Sequence, residues 1–146
     1  MGDNHRRESH TIDRDLDSTL ESVDLAENLV LETGRRIGLD EDELHQVGMA
    51  VRESMVNAVV HGNRYNAHKK VHLRVSNGPD RLAVTIIDEG EGFDPENLPD
   101  PLAEENLLRQ SGRGLLLIRA FVDEFDIRRA SPTGTEVRLV KHLGHR

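Results

Sequence analysis

The sequence of 146 residues contains no cysteine and no tryptophan, one tyrosine and three phenylalanines. Without cysteine there are no disulfides and no thiolate sites, which suits a reducing compartment. With 3% aromatic against 36% hydrophobic residues, the core has to be built from Leu, Val, Ile and Ala packed between layers. Positive charge is also short: 27 acidic residues outweigh 19 Lys and Arg and leave a formal net charge of -8. Such a chain offers no broad cationic face to a phosphate backbone, which argues against direct nucleic-acid binding. Long apolar runs are missing too. Even LLLI at 115–118 falls far short of the roughly 20 residues of a bilayer span. MGDNHR lacks a signal-peptide core and the hydroxyl residue that a myristoylation signal has at position 6. These absences predict a soluble cytoplasmic protein with no membrane partner.

A chain of this length suits one domain, burying about two thirds of the surface its unfolded form exposes. Residues 1–9 are polar and read as a disordered tail. HTIDRDL, from residue 10, reads as a short strand with Ile12 and Leu16 on one face. Ser18 and Glu21 stand at capping-box spacing and open a helix with Leu20, Val23, Ala26 and Val30 in one stripe, running to about Gly38. Asp40 and Glu43 repeat the box for a second helix, with Leu44, Val47, Val51, Met55 and Ala58 in its stripe and an end near His61-Gly62. Val71, Leu73 and Val75, then Leu82, Val84 and Ile86, alternate with polar residues around Asn77-Gly78-Pro79-Asp80 and predict a hairpin. Residues 88–112 carry most of the prolines and read as a long loop with one helical turn around 102–108; loops of that length are usually functional or disordered. Residues 112–125 read as a third helix, apolar on nearly all sides and therefore buried, and a closing hairpin turns at 131–134. Grouped helices and hairpin strands predict an α/β two-layer sandwich of the α+β type. Its mixed, mostly antiparallel sheet is covered on one face by about three helices.

Within the second helix, ESMVNAVVHG sets Glu53 and Asn57 among apolar residues. At i, i+4 and i+8, Glu53, Asn57 and His61 rise about 6 Å per step and drift about 40°, so they share an edge opposite the packed stripe. A carboxylate carried into an enclosed space has to be paired or hydrogen-bonded. It is either half of an ion pair with an arginine or a general base, with Asn57 as an oxygen ligand for a hard cation. Asp88, ending a strand and followed by Gly90 and Gly92, is either part of an ordinary turn or a fixed acceptor for the exocyclic amino group of adenine, where guanine presents a carbonyl. Gly112 and Gly114 flank Arg113 at the start of a helix, where free N–H groups favour an anion, though glycines also end loops. Gly134-Thr135 entering the last strand is by itself ordinary strand composition. His61 and His68 have no third ligand at zinc-like spacing, so His61 reads as structural.

Taken in order, Glu53-x-x-x-Asn57-Ala58-x-x-His61-Gly62, Asp88-x-Gly90-x-Gly92-Phe93, Gly112-x-Gly114-Leu115 and Gly134-Thr135 resemble the motifs of the Bergerat-fold, histidine-kinase-like (GHKL) ATPases. Within that superfamily the length, the HGN ending of the first motif and the run GLLLIRAFVDE at 114–124 are similar to anti-sigma-factor serine kinases of the RsbW type. The resemblance spans roughly residues 10–142 and implies a single ATP-binding domain over 10–146. It implies that Glu53 is the catalytic base and that Asn57 holds Mg2+ bridging the phosphates. Asp88 then contacts adenine, Gly90 and Gly92 shape the pocket, and Thr135 supports the base contact. Gly112, Arg113, Gly114 and Leu115 cradle the phosphates in a lid. Arg113 occupies a position variable in that family and, like Arg109, is left without an assigned role.

The implied cofactors are ATP and Mg2+. The implied partners are a sigma factor, a small anti-sigma factor antagonist phosphorylated on Ser or Thr, and a second copy of the chain in a homodimer. A histidine kinase needs a phosphoacceptor His on a dimerising helical hairpin, and strand passage or chaperone cycling needs further domains, so a protein substrate bound in trans is the remaining use for the γ-phosphate. The other reading is a non-catalytic module that holds ATP as a structural ligand and regulates by partner sequestration.

Overall fold

The computed structural model describes residues 10–90, 114–130 and 133–144; the helical turn expected around 102–108 lies outside them. In chain order the elements are β1 (His10–Asp17), α1 (Leu20–Ile37), α2 (Glu41–Val56), β2 (Lys70–Asn77), β3 (Arg81–Ile87), α3 (Gly114–Phe121), β4 (Glu124–Arg129) and β5 (Thr135–His142). The strands form one sheet in the order β1-β2-β3-β5-β4. Every pairing among the described residues is antiparallel. Among the described residues the sheet, expected to be mixed and mostly antiparallel, is antiparallel throughout, because β2–β3 and β4–β5 are hairpins and β5 returns beside β3.

The register turns the alternation of each strand into two unlike faces. Leu16, Val71, Leu73, Val75, Leu82, Val84, Ile86, Val137 and Leu139 are buried with the helices, and each such side chain contributes about 1.5–3 kcal/mol on leaving water. On the opposite face, charges meet directly across strands: Asp13 with Arg74, Asp15 with His72, Asp17 with Lys70, and Glu136 with Arg128. Exposed pairs of this kind add little stability each. Their value is in register, since a slip of one residue would carry aspartates into the core.

The sequence reading of α1 is right in extent and wrong at its start. Val23, Ala26 and Val30 are buried, and Gly38, at φ +100°, closes the helix with its N–H on the Gly34 and Arg35 carbonyls. The N-cap is Thr19, not Ser18, and it makes no side-chain cap. Ser18 is drawn away by tertiary bonds, donating to the Lys69 carbonyl at 2.6 Å and accepting from Asn63 at 2.9 Å. Leu20 is 54% exposed; it overhangs the core, and the packed stripe begins at Ser22 and Val23.

In α2 the capping box forms as read. The Glu43 N–H donates to Asp40 Oδ1 and the Asp40 N–H to Glu43 Oε1, each at 2.8 Å. The stripe Leu44, Val47, Val51, Met55 and Ala58 is buried. Past Val56 the chain widens into a π-helical turn, Asn57–Gly62, closed by the Asn63 N–H on the Ala58 carbonyl at 2.8 Å. The α-helical spacing expected to reach His61 therefore stops one turn early. Such single π turns are frequent at functional sites.

Helix α3 is shorter than the expected 112–125, because Glu124 and Phe125 belong to β4. Burial on nearly all sides is also corrected: Ile118 is buried, but Leu117 is 38% exposed, since α3 packs on α2 and β4 along one side.

Candidate functional site

The site grows from the end of β3. The Asp88 N–H donates to the Thr135 carbonyl at 3.0 Å, and Asp88 Oδ1 accepts from the backbone N–H of Gly90 at 2.9 Å and of Thr135 at 3.2 Å. Thr135, which the resemblance sets in support of the base contact, reaches Asp88 through its main chain. Asp88 is 6% exposed. Burial raises its carboxyl above the usual range, while the Gly90 and Thr135 amides and the charge of Lys69 pull the other way. A carboxylate whose proton is held more tightly folded than unfolded weakens the fold above its titration range. Among the described residues, Oδ2 has no hydrogen-bond partner. An ionised carboxylate with one oxygen fully used and the other facing a tight recess is an acceptor for an external N–H donor.

Glycines make the recess tight. A Cβ at Gly62 would stand 2.4 Å from Asp88 Oδ2, one at Gly90 would stand 2.2 Å from the Gly62 carbonyl oxygen, and one at Gly134 would stand 2.0 Å from the Asp88 carbonyl oxygen. The end of the π turn, the turn after β3 and the start of β5 meet here backbone to backbone. Gly134 also has φ +107°, so Gly134→Ala combines strain with overlap. It is expected to destabilise the protein by about 3 kcal/mol, read as a lowered thermal midpoint.

Glu53 sits half-buried on the last turn of α2 and Asn57, also half-buried, opens the π turn, the two joined by the Asn57 N–H on the Glu53 carbonyl. Among the described residues neither side chain makes a hydrogen bond or ion pair. The arginine beside Glu53 does not answer it: Arg52 reaches Asp24 at 2.9 Å and Glu27 at 2.8 Å on α1. Of the remaining candidates, Gly114 opens α3 and Leu115 lies in its first turn. Gly92, Gly112, Arg113 and Arg109 lie outside the described residues.

Two contributors to the site, Asn63 and Glu89, escaped the sequence reading, as did Lys141, which pairs with Leu82 at the end of β3 away from Asp88. Asn63, 2% exposed, donates to Ser18 Oγ and to the Lys70 carbonyl, both at 2.9 Å, and accepts from the Glu89 N–H at 2.7 Å. Its signal was a polar residue directly after Gly62 at the end of an apolar helix. Glu89 in turn accepts from the Lys70 N–H at 3.2 Å and meets His72 at 2.6 Å. Lys141 is buried and donates to Gln46 Oε1 on α2 at 2.7 Å and to the Phe121 carbonyl at the end of α3 at 3.3 Å. The alternation of Val137, Leu139 and Lys141 already pointed this lysine inward. Among the described residues no group of three His, Asp or Glu is placed to hold a metal ion, and no helix is long and apolar enough to cross a membrane.

Comparison with known proteins gives a consistent neighbourhood. A family model described as histidine kinase-like ATPase domain matches residues 16–141. The anti-sigma F factor of Bacillus subtilis (strain 168) is 36% identical over 104 residues, covering 70% of this chain and 71% of that protein. Among solved structures, the RsbU and RsbW domains of a Mycobacterium tuberculosis protein superpose with a TM-score of 0.67 at 20% identity, covering 94% of this chain and 33% of that one. The histidine kinase domain of a blue-light activated kinase from Erythrobacter litoralis superposes with a TM-score of 0.54 at 28% identity, covering 70% of this chain and 45% of that one.

Proposed function

Because the chain belongs to the histidine kinase-like ATPase domain family and has anti-sigma F factors among its relatives, we propose that it is an anti-sigma regulatory kinase. It binds Mg-ATP at the Asp88 recess, sequesters a sigma factor, and transfers phosphate to a Ser or Thr of a small antagonist protein. The observation that carries this reading is Asp88: a buried carboxylate with one oxygen held by two amides and the other unpartnered against glycines. That arrangement fits the amino edge of adenine.

In this reading Asp88 binds the adenine amino group, and Gly62, Gly90 and Gly134 let the backbone close around the base. Asn57 offers its side-chain oxygen to Mg2+, and residues 112–115 supply N–H groups to the phosphates. Mg-ATP supplies the transferable phosphoryl group and the neutralising charge. Glu53 takes the proton of the incoming hydroxyl, and its lack of a competing cation among the described residues leaves the carboxylate available for that role. Partners of this class place the protein in the cytoplasm, where it works as a homodimer.

The test has two stages. Millimolar Mg-ATP is expected to raise stability by about 4 kcal/mol if its affinity is micromolar, and the antagonist is then expected to gain the mass of one phosphate. No thermal stabilisation would sink the nucleotide reading. Stabilisation with no phosphate on the antagonist would favour the non-catalytic module.

A further inference from the structure

On the open face of the sheet, His72 stands between two carboxylates. Its Nδ1 is 2.6 Å from Asp15 Oδ1 and its Nε2 is 2.6 Å from Glu89 Oε2. Glu89 directly follows Asp88, and its backbone and side chain are both held: the N–H by Asn63 Oδ1, and Oε1 by the Lys70 N–H. The turn that carries Asp88 and Gly90 is thus gripped on one side by Thr135 and on the other by a chain running Asn63, Glu89, His72, Asp15. We propose that Glu89 and His72 are positioning residues for the nucleotide base, holding the Asp88 turn in its binding geometry only while the imidazole donates to both carboxylates. The inference rests on the reading of Asp88 as the nucleotide's base contact.

The chemistry follows from the hydrogen-bond inventory of histidine. Imidazolium has two N–H donors and can serve Asp15 and Glu89 together, whereas neutral imidazole has one and turns a lone pair toward the other carboxylate. The hydrogen bond to Asp15 lifts His72 above the ordinary histidine range, desolvation opposes it, and the hydrogen bond to Glu89 adds to the lift. Other charges around the ring are already matched. On β1, Asp13 pairs with Arg74 and Asp17 with Lys70, both partners flanking His72 on β2, and the β3 residue opposite it is Ile87. Raising pH through the lifted His72 value therefore removes one N–H from this chain and leaves the Glu89 side chain, among the described residues, on the Lys70 N–H alone. Stability follows the same sign: the contribution is whole below the ordinary histidine range and is lost as pH rises through the lifted His72 value.

Mg-ADP binding measured by calorimetry between about pH 6 and 9 tests the proposal, since ADP involves no turnover. In the unmodified protein Kd is expected to weaken at least threefold as pH rises, and in His72→Gln that slope should disappear. Glu89→Gln makes the sharper case. Its amide donates, so neutral imidazole becomes the fitting partner, giving its N–H to Asp15 and accepting at Nε2; the slope should reverse. Parallel slopes in all three proteins overturn the proposal while leaving the nucleotide site intact. Absence of Mg-ADP binding in every protein overturns the site and the proposal together. In the unmodified protein alone, NMR should show the Asp88 and Gly90 amides shifting with the same midpoint as the His72 ring, and amides indifferent to that titration also overturn it.

Discussion

Asp88→Asn is expected to weaken ATP binding by about 3 kcal/mol, on the order of a hundredfold in Kd, without unfolding the protein. The substituted side chain keeps an oxygen for the Gly90 and Thr135 amides that Asp88 Oδ1 now serves. Its NH2 then occupies the Oδ2 position, which Gly62 crowds so closely that a Cβ there would stand 2.4 Å away. A donor would face the donor edge of adenine, and a buried pair of donors is worse than a missing bond. The same change removes a carboxylate whose burial disfavours its charge, so stability without nucleotide should hold steady or rise at neutral pH. Guanine presents a carbonyl at that edge, so the loss should be smaller for GTP. Calorimetric titration with ATP and GTP checks both affinities, and a thermal scan of the free protein checks the stability. Equal losses for the two nucleotides, or an unfolded variant, would count against Asp88 as the base contact.

Glu53→Ala is expected to leave Mg-ATP affinity within a few-fold and to slow phosphate transfer to the antagonist by about 10²–10⁴, the usual scale for loss of a general base. The fold should tolerate it. Glu53 is half-buried and lies off the packed stripe of Val47, Val51 and Met55, and its side chain makes no hydrogen bond or ion pair among the described residues. Glu53→Gln separates proton transfer from shape, because it preserves size and removes the base. Quenched-flow measurement of phosphoantagonist formation reads the chemical step, and nucleotide titration of the same variants reads binding. Transfer at the unmodified rate in both variants would remove Glu53 from the chemistry and leave it as a wall of the site.

The candidate site residues stood out in the sequence because each ran against its local pattern. Glu53 and Asn57 interrupt an apolar helix, and Asp88 ends an alternating strand. Asp40 and Glu43 could be read as a helix start because both partners of a capping box lie within one turn. At Ser18 the same logic failed. Its hydroxyl had a better offer from Lys69 and Asn63, far along the chain. The π turn was equally invisible, because widening by one residue changes the hydrogen-bond ladder and not the apolar pattern that announces a helix.

The sequence by itself determined the strands, the helices, the inward faces of β2, β3 and α2 and the ordered set of motifs, since all of these follow from periodicities of two and 3.6 residues and from short spacings. Only the tertiary structure decided which polar groups meet. Asn63 joins Ser18 across 45 positions and Glu89 across 26, and His72 reaches Glu89 across 17. A hydrogen bond is directional and acts over about 3 Å, so its partners are chosen by how layers and turns pack in space. The Asp88 recess is the same kind of outcome: three glycines, far apart in the chain, brought into backbone contact by sheet order and the end of α2.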